Sequence, residues 1–590
     1  MNDVTRLFEL AYYQLEKYPL ADSIVDKVDG VWQKTSTQSY IEQANALSRA
    51  LHHMWITKGE KIALVSKNNS SQWNITDTAL LQLNAVTIPI YPTLSDEVFE
   101  HVLNHSESTY CFVSDIELYQ KIKSLLPNLK FLKEIYALQP VAGVKSIADF
   151  IEEGRQLDSQ SEIEEIKSKV SPSDLASIIY TSGTTGMPKG VMLSHNNILK
   201  NTLYSTERVN LDLGNTKALS FLPCCHVFER MLIYLYQYQG YSVYFAESID
   251  HIAANINEVK PNLMTVVPRL LEKVYDRIME KGSQLSGFKK IVFNWATKIA
   301  ERYEPYGANG PIYELQLKLA QKLVLNQWKQ ALGGEFKLIV SGSAALQPRL
   351  AKAFTAAQMP VIEGYGLTET SPVIAVNDYK NNGYKSFTVG KPLRQLEIKI
   401  AADGEILCKS ECVMLGYYKD PVKTAEVIKD GYFHTEDIGV LDADGFLKIT
   451  DRKKEMFKTS GGKYIAPQLI ENVLKKSRFI EQVLVVGEGE KMPAALIQPD
   501  FEHLKAWAKE HHIDHADTNE QLATNAEVIK KVQEEIAQYN DEFGHWEQVK
   551  KIALTPTIWS IETGELTPTL KLKRKKIIEK YKKLYDSIYR

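Results

Sequence analysis

Short apolar, β-branched runs recur between helical patterns through the first half of the chain, at residues 61–65, 85–91, 110–113, 177–180, 242–245, 263–267 and 337–340. Strands separated by helices are joined by crossovers, so they lie parallel and need helices on both faces of the sheet. The expected class is α/β, with a large N-terminal domain of doubly wound sheets. At 590 residues and 44% hydrophobic content there is material for roughly two to four domains with sizeable cores, which excludes a disordered chain.

The pattern changes twice. Between about 270 and 332 the strand signal gives way to spaced apolar positions, Ile291, Phe293, Ala296 and Ile299 and then Leu315, Leu319 and Leu323, which predict a helical insertion between two strands. From about 385 to 450, Asp403-Gly404, Asp430-Gly431 and Asp444-Gly445 punctuate short alternating runs, the turn chemistry of a small β-barrel or antiparallel sheet. Beyond Asp451 a helix is expected from Pro467, with strands at 482–486 and 494–497. The division is therefore 1–450 for the N-terminal domain and 451–590 for a smaller α+β C-terminal domain.

Charge narrows the function. Lys and Arg number 70 against 73 Asp and Glu, a net −3, so nothing global draws the chain to nucleic acid or an anionic bilayer, and any polyanion must be met locally. Five cysteines without a CxxC pair fit a reducing compartment, with cytoplasm as the expected location. The first 20 residues carry Asp3, Arg6, Glu9 and Glu16 and do not read as a signal peptide, and 231–249 is too interrupted for a membrane span.

A local polyanion site is visible. The strand ending Ile179-Tyr180 runs into Thr181-Ser182-Gly183-Thr184-Thr185-Gly186-Met187-Pro188-Lys189-Gly190. Backbone N–H groups freed by glycine, side-chain hydroxyls and one ammonium are what a loop needs to hold a polyphosphate. Pro188 stands where a Walker A loop requires glycine. Further on, Gly364-Tyr365-Gly366-Leu367-Thr368-Glu369-Thr370 offers a flat ring for a purine, a hydroxyl for a phosphate and a hard carboxylate oxygen for Mg²⁺.

These segments, followed in order by Tyr432-Phe433-His434-Thr435-Glu436-Asp437, Asp451-Arg452-Lys453-Lys454 and Thr567-Pro568-Thr569-Leu570-Lys571-Leu572-Lys573-Arg574, resemble the motifs of the adenylate-forming superfamily of acyl-CoA synthetases, luciferases and peptide-synthetase adenylation domains. The resemblance covers nearly the whole chain. It implies that Thr181, Ser182, Gly183, Thr184, Thr185, Gly186 and Lys189 hold ATP phosphates, with Thr184 and Glu369 toward Mg²⁺. Gly364, Tyr365 and Gly366 would bound the adenine, as would Ser343, although a plain strand-to-helix turn fits Ser341 to Leu346 almost as well. Asp437 and Arg452 would hold the ribose; a solvated turn aspartate is the plain alternative for Asp437.

Thr368, Glu369 and Lys571 would be catalytic. Lys573 remains an alternative to Lys571, because alignment on Thr569 instead of Arg574 selects it. Gly461 and Gly462 would admit the pantetheine arm of CoA, a role compatible with a simple turn before the Pro467 helix. The C-terminal domain would be mobile, pivoting at Asp451. The family commonly has glycine before the ribose aspartate, so Glu436 is expected to keep the backbone there out of positive φ.

The insertion, the segment Leu222-Pro223-Cys224-Cys225-His226-Val227-Phe228-Glu229-Arg230 and the helical sequence from 501 to about 547 resemble long-chain fatty acyl-CoA synthetases, in which the Cys-His segment lines the acyl pocket. The implied reaction is activation of a long-chain fatty acid by ATP to an acyl-adenylate and then to acyl-CoA. An enzyme loading an acyl carrier protein, or a non-catalytic lipid- or nucleotide-binding descendant, are the rival readings. The basic residues from 571 to 583 are either a solvated helical face or a contact for CoA phosphates or an anionic membrane.

Overall fold

The computed structural model describes residues 4–181, 187–380, 382–514, 516–567 and 571–590. The chain divides into two compact units: Met1–Ile398 with Cys408–Phe433 and Ala443–Leu447, and Lys399–Leu407 with His434–Asp442 and Lys448–Arg590. The second unit thus starts close to Asp451 but also takes two pieces of the β-rich region.

The first unit holds two large sheets. One has seven strands in the order Gly416–Tyr417, Lys189–Ser194, Leu175–Thr181, Val86–Ile90, Lys61–Val65, Tyr110–Val113 and Glu134–Ala137. The other has nine: Lys391–Pro392, Val373–Val376, Val361–Gly366, Leu338–Ser341, Leu263–Val266, Thr216–Ser220, Tyr241–Phe245, Ile24–Val28 and Val31–Thr35. Inner strands are parallel, and runs such as Val86–Ile90 and Tyr241–Phe245 are buried along their whole length, as sheets covered on both faces require. Three of the four edges turn antiparallel, the exception being Glu134–Ala137, and one of those reversals carries the phosphate-loop sequence.

The insertion lies between the adjacent parallel strands Leu263–Val266 and Leu338–Ser341 as the helices Pro268–Ser283, Gly287–Glu301, Gly310–Ala320 and Asn326–Ala331, with a π-helical turn Gln321–Leu325. Its core residues Tyr275, Phe293, Leu317 and Trp328 join one cluster with Met264 and Ile339 of the sheet.

Of the three Asp-Gly turns expected in the β-rich region, the first unit holds Gly431 and Gly445 at φ +78 and +81, and Gly404 at +86 belongs to the second unit. Its C-terminal part is built on a three-stranded sheet, Ile480–Val486, Ala494–Pro499 and Lys551–Leu554. Alternation decides its two faces. Val483 and Val485 pack with the helices Pro467–Leu474, Phe501–Glu510 and Ala526–Asn540, while Leu484 and Val486 pack with Ile577, Tyr581 and Ile588 of the last two helices.

Candidate functional site

In the first unit the strands Leu175–Thr181 and Lys189–Ser194 form an antiparallel hairpin in which Thr181 faces Lys189 and Tyr180 faces Gly190. Thr181 and Lys189 therefore end a ladder that also belongs to the seven-stranded sheet. Ser182, Gly183, Thr184, Thr185 and Gly186 lie outside the described residues. Gly190 is fixed by close packing: a Cβ there would stand 2.7 Å from Ile178 Cγ2 and 3.2 Å from the Tyr180 ring.

The Lys189 ammonium lies 5.4 Å from the centre of the Tyr417 ring, and the Tyr417 hydroxyl donates to Glu369 Oε1 at 2.9 Å. Two residues singled out in separate motifs are thereby connected through a third that the sequence does not mark. Tyr417 sits on a two-residue strand, Gly416–Tyr417, paired beside Lys189–Ser194, and a run that short carries no periodic signal. Thr368 and Glu369 form a 3₁₀ turn, and the Glu369 carbonyl accepts from the Met414 N–H at 2.8 Å. Tyr365 and Gly364 belong to the strand Val361–Gly366. Gly366 is required within the chain itself, since a Cβ there would meet the Pro372 carbonyl at 1.8 Å.

The segment 222–230 divides its work. His226 caps the helix Val227–Gln239, its Nδ1 accepting from the Phe228 N–H at 3.2 Å. Phe228 packs on Gly342, where a Cβ would come within 2.8 Å of its ring, and the next residue, Ser343, has φ +71. Residues expected at the acyl and adenine pockets are thus in direct contact. Arg230 is buried and structural: it pairs with Asp77 at 2.6 Å and donates to Ser177 Oγ at 2.8 Å and Thr87 Oγ1 at 2.9 Å. Glu229 is buried too. Its Oε1 accepts from Ser220 at 2.5 Å, and burial pushes the carboxyl up to about 8. Burial also raises the Cys224 and Cys225 thiols.

In the second unit Asp437 and Arg452, on the strands Tyr432–Leu441 and Leu447–Arg452, meet at 3.1 Å from Nε to Oδ1, so the two ribose candidates form one pair. The expectation for Glu436 is overturned: its φ is +61. The strained backbone is held from three directions, because the Glu436 N–H donates to Glu405 Oε1 at 2.9 Å, its carbonyl accepts from the Lys453 N–H at 2.8 Å, and its carboxylate pairs with Lys454 at 2.7 Å. Such anchoring offsets the ~1–3 kcal/mol that a non-glycine residue costs in this region.

Asp451 is almost wholly buried, its Oδ1 accepts from the Arg452 N–H at 2.5 Å, and burial pushes the carboxyl up to about 7. Gly461 and Gly462 close a tight hairpin between Phe457–Lys458 and Tyr464–Ile465, with Gly462 at φ +76 and its N–H donating to the Thr459 carbonyl at 2.9 Å.

The terminal motif is also a hairpin. Leu566 bridges Leu572, the Thr567 N–H donates to the Lys571 carbonyl at 2.8 Å, and the Lys571 N–H donates to Thr567 Oγ1 at 3.0 Å. Lys571 is exposed, whereas Lys573 is half-buried at the start of the helix Arg574–Lys580, and burial followed by the nearby Lys576 lowers its pKa. Arg574 points inward, donating from two nitrogens to Glu471 Oε1 at 2.6 and 2.7 Å and to the Val485 carbonyl at 3.2 Å.

Family comparison agrees with the motif order. The model of the AMP-binding enzyme matches residues 12–418, and that of the AMP-binding enzyme C-terminal domain matches 455–590. The chain is 32% identical to the long-chain-fatty-acid–CoA ligase FadD15 of Mycobacterium bovis over 95% of this chain and 93% of that protein. It is 31% identical to human long-chain-fatty-acid–CoA ligase 1 over 93% of this chain and 82% of that one. Among solved structures, the anthranilate CoA ligase AuaEII with anthranoyl-AMP superposes with a TM-score of 0.71 at 19% identity, covering 98% of this chain and 97% of that chain. The adenylation domain of the carboxylate reductase from Mycobacterium chelonae superposes at 0.75 and 20% identity, covering 100% and 92%. These last two likenesses establish the shared fold.

Proposed function

This chain belongs to the AMP-binding enzyme family and activates long-chain fatty acids with ATP for transfer to CoA, and we propose the following division of labour among its residues. The fatty carboxylate oxygen attacks the α-phosphorus, the bond to pyrophosphate breaks, and acyl-adenylate forms. The CoA sulfur then attacks the acyl carbon, gives up its proton, and AMP leaves. No side-chain nucleophile is needed, and Cys224 and Cys225 are poorly suited to be one, because burial disfavours their thiolates.

Residues 181–186 and Lys189 hold the phosphates, Tyr365, Gly364 and Ser343 bound the adenine, and Asp437 and Arg452 hold the ribose. The line Lys189, Tyr417, Glu369 supports this reading: an ammonium that follows the loop in sequence lies over the Tyr417 ring, whose hydroxyl holds the carboxylate. Glu369 and Thr184 offer hard oxygen donors of the kind Mg²⁺ takes, with the Thr368 hydroxyl toward a phosphate, and such an ion, when bound, would neutralise charge on the transferring phosphoryl group. Lys571 adds positive charge in the adenylation step only, and the Gly461-Gly462 hairpin serves the thioester step, with reorientation of the second unit about Asp451 exchanging the two.

No helix among the described residues is long and apolar enough to cross a membrane. Cytoplasmic residence with peripheral contact at the inner face of a membrane completes the proposal. The test is product analysis with fatty acids of graded length: acyl-CoA, AMP and pyrophosphate should appear in equal amounts and most rapidly with long chains, and ADP would overturn the reading. Glu369→Gln should retain the fold and lose adenylation by roughly three orders of magnitude, since its interaction is strongest in the transition state.

A further inference from the structure

The insertion carries a face that the chemistry above does not use. The helix Gly310–Ala320 and the turn Gln321–Leu325 bury Tyr313, Leu317, Ala320 and Val324, and the Tyr313 hydroxyl donates to the Ile299 carbonyl of the neighbouring helix at 2.7 Å. Away from that face stand Ile312, Leu315, Leu319 and Leu323, exposed by 76, 71, 49 and 45%. Their spacing keeps them on one stripe. The neighbouring helix Gly287–Glu301 likewise exposes Phe288 and Ile291, by 77 and 66%. Aliphatic side chains exposed in series mark a surface that meets something apolar.

The charges around them are segregated. Between residues 287 and 331 the exposed charged side chains are Lys289, Lys290, Lys298, Arg302, Lys318 and Lys322, all basic. The three acidic residues of the same stretch, Glu301, Glu304 and Glu314, are half-buried: Glu301 accepts from the Tyr275 hydroxyl at 2.6 Å, and Glu304 pairs with Lys352. In a chain of net charge −3 this is a local cationic, apolar surface.

We propose that this face of the insertion docks on an anionic lipid bilayer, with the stripe entering the headgroup boundary and the lysine ammoniums remaining at phosphate depth. It rests on the peripheral contact proposed above and assigns that contact to the insertion. The basic C-terminal segment is a weaker candidate because three of its eight cations are met inside the second unit, Arg574 by Glu471, Lys580 by Glu565 and Lys582 by Asp586, and no comparable series of exposed aliphatic side chains accompanies it among the described residues. A second copy of the same face is disfavoured by repulsion between like charges.

The test is sedimentation of the full chain with phosphatidylcholine vesicles, with and without phosphatidylglycerol. The wild type should pellet only with the anionic vesicles. Leu315→Glu/Leu319→Glu should lower the partition coefficient by roughly 30-fold or more, and Lys318→Gln/Lys322→Gln by roughly fivefold per lysine, while Lys575→Gln/Lys583→Gln leaves it unchanged. The Leu315/Leu319 and Lys318/Lys322 variants should form acyl-CoA from a short, soluble fatty acid within about twofold of wild type, as surface substitutions do. Wild-type protein that ignores anionic vesicles overturns both this assignment and peripheral contact. Binding that survives the leucine variant, or is lost only in the C-terminal one, overturns the insertion alone. A wild-type dimer that the leucine variant dissociates assigns the face to self-association instead.

Discussion

Two hairpins each present a lysine, and they are built in opposite ways. The one bearing Lys189 is two strands of a seven-stranded sheet, has no room for a side chain at Gly190, and rests its ammonium on the Tyr417 ring. In the one bearing Lys571 the described residues are joined by the Leu566–Leu572 bridge and by hydrogen bonds between Thr567 and Lys571, with the lysine exposed. A cation that must meet the nucleotide on every visit is best fixed by the fold, whereas one needed for half of the cycle has to be delivered and withdrawn. The difference in construction matches the difference in duty proposed for the two lysines.

The comparison can be broken most directly at the delivered lysine. Lys571→Ala should slow acyl-adenylate formation by roughly 10²–10³-fold, the scale of losing one transition-state charge partner, and leave thioester formation from supplied acyl-AMP within a few-fold. Lys573→Ala should spare both half-reactions. Equal loss of both steps in folded Lys571→Ala would remove the distinction between the hairpins.

At the fixed lysine the expected damage is structural first. Gly190→Ala should lower stability by about 1–3 kcal/mol through overpacking against Ile178 and Tyr180, read as a fall in the denaturant midpoint together with weaker ATP binding. Tyr417→Phe should keep the fold and slow adenylation about tenfold, the size of one lost hydrogen bond to a charged group; unchanged rates would detach Tyr417 from the site.

The smallest effect concerns pH. Glu229 ionises near 4.5 when exposed and about 8 when folded, so the unfolded chain loses this proton first and the stability of the native state falls as pH rises from 4.5 toward 8. Glu229→Gln should flatten that fall by on the order of 1–4 kcal/mol at pH 8, measured by denaturant titration at several pH values. A parallel pH profile in the variant would mean that Glu229 is charged in the native protein.

The parallel strands were legible because burial on both faces forces continuous apolar runs: 61–65 and 110–113 are expected and observed with the same bounds, and 85–91 differs from Val86–Ile90 by one residue at each end. The insertion was legible for the same reason, as a change of period. Asp437 and Arg452 were nameable from their motifs and do meet, but their contact depends on the registry of two strands, which spacing does not encode. Tyr417 was invisible because a two-residue strand has no pattern. Arg230 stood in a segment that resembles an acyl-pocket wall, yet its partners Asp77, Thr87 and Ser177 are more than 50 residues away in sequence, so its structural role could not be read locally. The sign of φ at Glu436 was misjudged because residue type gives a preference and the neighbours decide.

The Arg574 fork has a kinematic consequence. Its guanidinium ties the end of the Lys571 hairpin to Glu471, on the helix Pro467–Leu474 that directly follows the Gly461-Gly462 hairpin. Lysine and glycine turn therefore ride on one lever, and neither can be advanced or retracted independently. In the proposed cycle the two half-reactions become mutually exclusive in time, with the lever swinging once when the acyl-adenylate has formed and back once the products have left.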